Sequence, residues 1–270
     1  MEFRKRSKYV FFQRCKGAGF FLLQYALSIL INCVCFMLPK RILLKISGEM
    51  LKGEDPLGIS GEVLARLALS IKELIQHNIQ VAIVIGAGNL FRGIQGEKLG
   101  ISQVTADYMG MLATMINGLA LQEALRSTGI ESEIMSALPC EAIAPVVSTV
   151  KANELISKGI PVIFTGGTGN PFFTTDTAAA LRAAEIKADL VVKATKVSGV
   201  YSKDPNKYPD AIRYERLSYA EALEQKLLVM DHTAFALCMS VNIPIFVFKL
   251  WEKPTIIEAL QDMTSGTIIS

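Results

Sequence analysis

Residues 80–89 read QVAIVIGAGN and residues 161–170 read PVIFTGGTGN. Each joins a short apolar run to a glycine-rich turn. A strand with one wet face alternates apolar and polar residues, whereas a run that is apolar throughout suits a strand covered on both faces, as in parallel sheets. A third run of the same kind, RILLKI at 41–46, ends in Ser47-Gly48. Between these runs the period changes. Val63, Leu64, Leu67, Ile71, Leu74 and Ile75 share one helical face within residues 60–78. Further helices are expected near 104–127, 149–158 and Thr175–Ile186, with strands near 132–136 and at Leu190–Ala194. The last third continues with helices near 218–226 and 232–241, then strands at 244–249 and 266–269. Strands alternating with helices predict an α/β fold, a doubly wound, mostly parallel sheet flanked by helices. Ligands of such sheets sit beyond the carboxyl ends of the strands, so the glycine turns mark a shared rim.

Composition narrows the function. Of 270 residues, 51% are apolar and 20% charged, enough for a large core and unlike a disordered chain. The net charge of +3 comes from the first 36 residues, where six basic residues stand against one acid. The remainder holds 22 basic and 24 acidic residues, so it lacks the basic footprint of a nucleic-acid binder. The five cysteines form no C-x-x-C pair and no disulfide framework, and two histidines without spaced thiols argue against structural zinc. No protein metal site is expected.

Residues 17–38, GAGFFLLQYALSILINCVCFML, carry no charge over 22 positions and have the hydropathy of a membrane anchor or signal segment. The first core strand nevertheless begins at Arg41, almost without a linker. The expectation adopted is an upstream translation start, with the native protein beginning near Met37, no membrane attachment, and residues 1–36 as an extension outside the native fold. Residues 37–270 then form a single domain.

Four segments carry chemistry. Lys45 lies inside an apolar strand, where an unpaired ammonium is costly. It is either an exposed edge lysine or a cation placed beside Ser47 and Gly48 to meet a phosphate. In GAGNLFRG, residues 86–93, the glycines let backbone N–H groups approach an anion and Arg92 can pair with phosphate oxygens. In TGGTGNPFFTTDTAAALR, residues 165–182, hydroxyls, an amide and free backbone groups suit a nucleotide, and Thr174, Thr175 and Asp176 begin a helix. In KATKVSGVYSKDP, residues 193–205, Lys193, Thr195 and Lys196 end a strand, Tyr201 can stack on a base, and Asp204 can accept from the nucleotide's polar groups. Neither a Walker A loop nor a G-x-G-x-x-G fingerprint occurs.

Together RILLKISGE, GNLFRG, DYMGMLAT, GTGNPFFTTD and KATKVSGVY resemble the bacterial UMP kinases of the amino acid kinase superfamily, over about residues 41–270. The resemblance implies transfer of phosphate from ATP to UMP, with nucleotide-bound Mg²⁺. It implies ATP contacts at Lys45, Ile46, Ser47, Gly48, Gly88, Arg92, Thr195, Tyr201 and Asp204. It implies UMP contacts at Ala87, at Asp107 (toward the ribose), and at Thr168, Gly169, Asn170, Pro171, Phe172, Phe173, Thr174 and Thr175. Lys45, Arg92, Asp176 and Asp231 become the catalytic set, Asp176 or Asp231 orienting Lys45 or the metal. The UMP half would be about 37–190 and the ATP half about 190–270. A cytoplasmic homohexamer in pyrimidine biosynthesis is implied as well.

Two positions depart from the family pattern. Ala87 replaces a glycine, a strained choice if φ there is positive. Ser198 replaces Asp or Asn. Residues 53–58, GEDPLG, align with a region tied to GTP activation in some relatives, with a different composition. The helix at 104–127 is apolar nearly all round and suits either a core or a subunit interface. Two other readings compete with UMP phosphorylation: a kinase acting on a carboxylate or carbamate, and a non-catalytic nucleotide-binding oligomer.

Overall fold

Strand β1 (Arg41–Ile46) lies in the middle of the sheet, paired in parallel on one side with β2 (Gln80–Ile85) and on the other with β5 (Leu190–Thr195). Lys45 is therefore no edge residue. The computed structural model describes residues 38–54, 58–91, 96, 99–227 and 230–270. Those from Leu38 onward belong to one unit. After β1 comes α1 (Gly48–Leu51), then α2 (Gly61–Gln76) leading into β2, and α3 (Gln103–Ser127) leading into β3 (Glu133–Ser136). Helix α4 (Thr149–Ser157) precedes β4 (Val162–Thr165), and α5 (Thr175–Glu185) precedes β5. Beyond β5 lie β6 (Val200–Tyr201), β7 (Arg213–Tyr214), β8 (Arg216–Leu217), α6 (Tyr219–Glu224) and α7 (His232–Ser240). The chain closes with β9 (Ile245–Lys249), α8 (Ile256–Gln261) and β10 (Thr267–Ile269).

The main sheet runs β3-β4-β2-β1-β5-β9-β10-β8. All neighbours are parallel except β9 and β10. The chain builds outward from β1 to β2 and β4, then crosses to β5, so β1 is the switch point where ligands gather in open α/β sheets. Alternation along β1 sends Ile42, Leu44 and Ile46 to one core, with α1, α2, α3 and α8. Leu43 goes to the other, with α4, α5, α6 and α7. Helices thus cover both faces, as the apolar strands require.

Helix starts are chemically marked. Ser60, Ser102, Ser148, Thr174, Ser218, Asp231 and Thr255 each accept a first-turn backbone N–H, a contact worth about 1 kcal/mol per helix. The sequence reading lacked the antiparallel β6–β7 pair and β8. Two-residue strands are too short to carry a period. Residues 1–37, which hold all of the charge-free segment but Leu38, lie outside the described residues, as do residues 55–57 of the GEDPLG stretch. Among the described residues no helix is long and apolar enough to cross a membrane.

Candidate active site

The carboxyl ends of β4, β2, β1 and β5 stand side by side on one rim, in that order. Lys45 and Lys193 are direct cross-strand partners, so alternation sends both side chains to the same face. They are 7% and 8% exposed, and two ammoniums so placed repel unless an anion separates them. Asp176 is that anion. The first turn of α5 brings its Oδ1 to 2.7 Å from Lys45 Nζ and its Oδ2 to 2.6 Å from Lys193 Nζ. Burial opposes ionisation of Asp176, but the two lysines outweigh it and hold the carboxyl below the usual carboxylate range. Burial pushes the Lys193 ammonium below its ordinary pKa, against the pull of Asp176. Lys193 was absent from the expected catalytic set. Its signal was in the sequence, because LVVKAT repeats the lysine-in-apolar-strand pattern of RILLKI.

The turns after β1 and β2 touch backbone to backbone. A Cβ on Gly48 would stand 2.5 Å from Gly86 O and 2.6 Å from Gly88 N, so no other residue fits without parting the two turns. Ala87 is not among the residues with positive φ, so the strain foreseen for an alanine there does not arise. Ile46 has its side chain wholly buried in the core opposite Lys45, and its carbonyl accepts from Gly86 N. Its side chain does not line the cavity described below. Arg92, expected on both the ATP and catalytic sides, lies outside the described residues.

After β4, Gly166 adopts φ 73°, which lets the chain reverse tightly against Ala137 and Leu138. Thr168 Oγ1 and Asn170 close a small turn, with Asn170 N donating to Thr168 Oγ1 at 3.2 Å. Pro171 follows, and Phe172 and Phe173 are exposed. Asp107, on α3, accepts from Phe172 N at 2.8 Å and so ties the loop down at a residue with φ 70°. Thr174 caps α5, accepting from Asp176 N at 3.0 Å, and its hydroxyl also donates to Asp231. Asp231 accepts from Thr177 Oγ1 at 2.8 Å and from Ala234 N at 2.8 Å, so it clamps the starts of α5 and α7 together. Asp176, not Asp231, makes the contact with Lys45 that sequence left open between them. Thr175 Oγ1 lies 3.5 Å from where a Cβ on Gly86 would sit, which joins the β4 loop to the β2 turn.

Beside this cluster opens a cavity of about 610 Å³, within the range of small-molecule sites. Lys45, Ser47, Lys193, Thr195, Tyr201 and Asp204 line it, so five of the residues expected on the ATP side share one space. Gly48 and Gly88 adjoin it through the glycine contact but do not line it. Glu49 and Lys196 pair across its wall at 3.2 Å. Thr195 and Asp204 also shape the wall, Thr195 Oγ1 accepting from Val197 N at 3.1 Å and Asp204 Oδ1 from Asn206 N at 3.0 Å. At Ser198 the backbone oxygen accepts from Arg213 at 3.1 Å, so that segment is held through its main chain rather than by the missing Asp or Asn. Among the described residues no group of three or more His, Cys, Asp or Glu side chains is placed to hold a metal ion.

A sheet with its switch point beside paired buried lysines, a nucleotide-sized cavity and glycine turns is an arrangement for handling phosphate groups. The chain belongs to the amino acid kinase family, whose model matches residues 40–249. It is 50% identical over 234 residues to the uridylate kinase of Protochlamydia amoebophila (strain UWE25), spanning 86% of this chain and 93% of that protein. Among solved structures it is similar to the UMP kinase of Ureaplasma parvum, with TM-score 0.81 and 39% identity over 85% of this chain and 98% of that one. The UMP kinase of Bacillus anthracis gives TM-score 0.82 and 35% identity over 86% and 96% of the two chains.

Proposed function

We propose that this chain is a UMP kinase, transferring the γ-phosphoryl group of ATP to UMP to give ADP and UDP. One observation carries the reading: Lys45 and Lys193, locked by Asp176, form a buried pair of cations on the wall of the nucleotide cavity, on the rim that the turns after β4, β2, β1 and β5 share. Phosphoryl transfer needs positioning and charge neutralisation more than covalent help. The acceptor phosphate has a second pKa near 6, so it is already ionised near neutral pH and needs no general base. Lys45 and Lys193 stabilise the charge that spreads over the moving phosphoryl group. Asp176 holds them in register, and Arg92 adds a further cation by its place in the motif.

ATP is read as occupying the cavity lined by Ser47, Thr195, Tyr201 and Asp204, beside Gly48 and Gly88. UMP is read as lying under the 168–175 loop, near Ala87 and Asp107. This makes residues 37–270 one catalytic domain, the UMP half about 37–190 and the ATP half about 190–270, with residues 1–36 outside it. Mg²⁺ when bound screens the ATP phosphates. Carboxylates of the site are engaged, Asp176 by two lysines, Asp231 by two threonine hydroxyls and Glu49 by Lys196, so the nucleotide rather than a protein cage would hold the ion. The same reading places the chain in the cytoplasm, where ATP is supplied, and its product UDP in pyrimidine nucleotide synthesis. A homohexamer is supported by the exposed apolar face of α3, where Leu112 and Ile116 are 53% and 54% exposed.

The test is a coupled ADP-release assay on the full chain with ATP and magnesium, offering UMP, CMP and dCMP separately. UMP should drive ADP release fastest. ADP release that ignores UMP, or that responds to a carboxylate or carbamate acceptor instead, would overturn the reading.

A further inference from the structure

The turns after β2 and β4 must keep a fixed spacing if a phosphoryl group is to pass between ligands bound beside them. Both turns are fastened to the same face of α3. Thr114 Oγ1 accepts from Gly166 N at 2.8 Å, at the start of the β4 turn, and donates to Met111 O at 2.6 Å. Asn117, three residues on and on the same helical face, donates from Nδ2 to Gly86 O at 2.7 Å, at the start of the β2 turn. Its amide is also matched reciprocally with Asn89 within the β2 turn, Asn117 Nδ2 reaching Asn89 Oδ1 at 2.7 Å and Asn89 Nδ2 reaching Asn117 Oδ1 at 2.9 Å. Asn89 Nδ2 donates further to Gly58 O at 2.9 Å. Thr114 is 1% exposed, and Asn89 and Asn117 are wholly buried. Gly118 lets the helix press onto β4, since a Cβ there would lie 2.4 Å from Thr165 Cγ2.

The hydrophobic effect alone gives no reason for polar side chains here. The other buried positions along α3 include Met111, Ala113, Met115, Leu121 and Leu125, and apolar residues would fill the space without needing partners. What the threonine and asparagine add is direction: each fixes one backbone group of one turn.

We infer that Thr114 and Asn117 are positioning residues, which through Gly166 and Gly86 set the separation between the acceptor loop and the donor turn. The inference rests on the kinase reading above. Both side chains are buried and neither lines the cavity. Their effect is geometric, and a misplacement of about 1 Å can cost about a hundredfold in rate.

The test compares full-length Thr114→Val, which keeps the shape but removes the acceptor for Gly166 N–H, with Thr114→Ser, which keeps the hydroxyl. Thr114→Val should lower kcat by about tenfold or more and raise the KM for UMP, leaving the KM for ATP in place. Thr114→Ser should restore both constants to within about twofold of wild type. A purely structural role would lower the melting temperature and the active fraction, and leave both KM values unmoved. Should Thr114→Val fail to fold, Thr114→Ala removes the same hydroxyl without adding volume, and the same comparison applies. Wild-type turnover of UMP combined with an unchanged KM for UMP in the hydroxyl-free variant, or with no rescue by serine, overturns the inference and spares the kinase reading. A wild-type protein that fails to phosphorylate UMP overturns that reading and the inference with it.

Discussion

At the residue scale the molecule turns on one carboxylate between two lysines. Lys45→Ala removes a cation from the proposed reaction centre while leaving the UMP loop alone. Turnover should fall by about a hundredfold or more with the KM for UMP nearly unchanged, as for a group that acts mainly in the transition state. Near-wild-type kcat in steady-state kinetics would deny Lys45 that role. Asp176→Asn does something different, because it strands two buried ammoniums. At neutral pH it should cost about 3 kcal/mol of unfolding free energy. The pH dependence has a definite sign. The folded carboxyl titrates below its unfolded value of about 3.9, so its stabilisation is complete above that value and fades as pH falls through the folded pKa. Denaturant titrations should therefore find the gap between wild type and Asp176→Asn constant near neutrality and closing below about pH 4. A gap that stays constant into strong acid would mean the carboxylate is not held as described. Lys45 was legible from sequence because one charge in RILLKI is conspicuous. Lys193 was harder to single out, because its importance depends on β5 lying beside β1 in register, and strand order is not written in the period of either strand.

At the element scale, the four turns that form the rim differ in why they need glycine. Gly48 is needed for contact distance, since its absent side chain is the space that Gly86 O and Gly88 N occupy. Gly48→Ala must push the β1 and β2 turns apart. It should cost about 1–3 kcal/mol and abolish most turnover. Ala87 is the contrasting case. It is not among the positive-φ residues, so Ala87→Gly should relieve no strain and should instead lower stability by about 0.4–1 kcal/mol through added freedom of the unfolded chain. A stabilised Ala87→Gly in the same urea melts would mean that this turn is strained after all. Elements of ten or more residues and the buried strands were readable from apolar spacing and from the Ser, Thr and Asp caps. The β6–β7 pair and β8 were not, since two residues cannot display a period and their pairing depends on partners distant in the chain.

At the scale of the whole molecule, α3 faces two ways. Its inner side carries Thr114 and Asn117 to the two turns. Its outer side exposes Tyr108, Leu112, Ile116 and Leu119 at spacings of three and four, an apolar stripe along the helix. Sequence alone could not choose between a core helix and an interface helix, because both make a helix apolar all round. The structure gives it a buried face and an exposed one. An apolar stripe of this kind suits subunit association, and a subunit docked there would rest on the same helix that holds the turns after β2 and β4. The proposed homohexamer therefore predicts that Ile116→Asp, about half exposed and outside the cavity, will reduce the particle mass seen by sedimentation velocity while the chain stays folded by circular dichroism. If assembly steadies α3, the same variant should lose kcat at low protein concentration and regain part of it as concentration rises, since mass action then restores the contact. An unchanged sedimentation coefficient would remove the α3 stripe from the interface and leave the link between assembly and the paired turns without a physical basis.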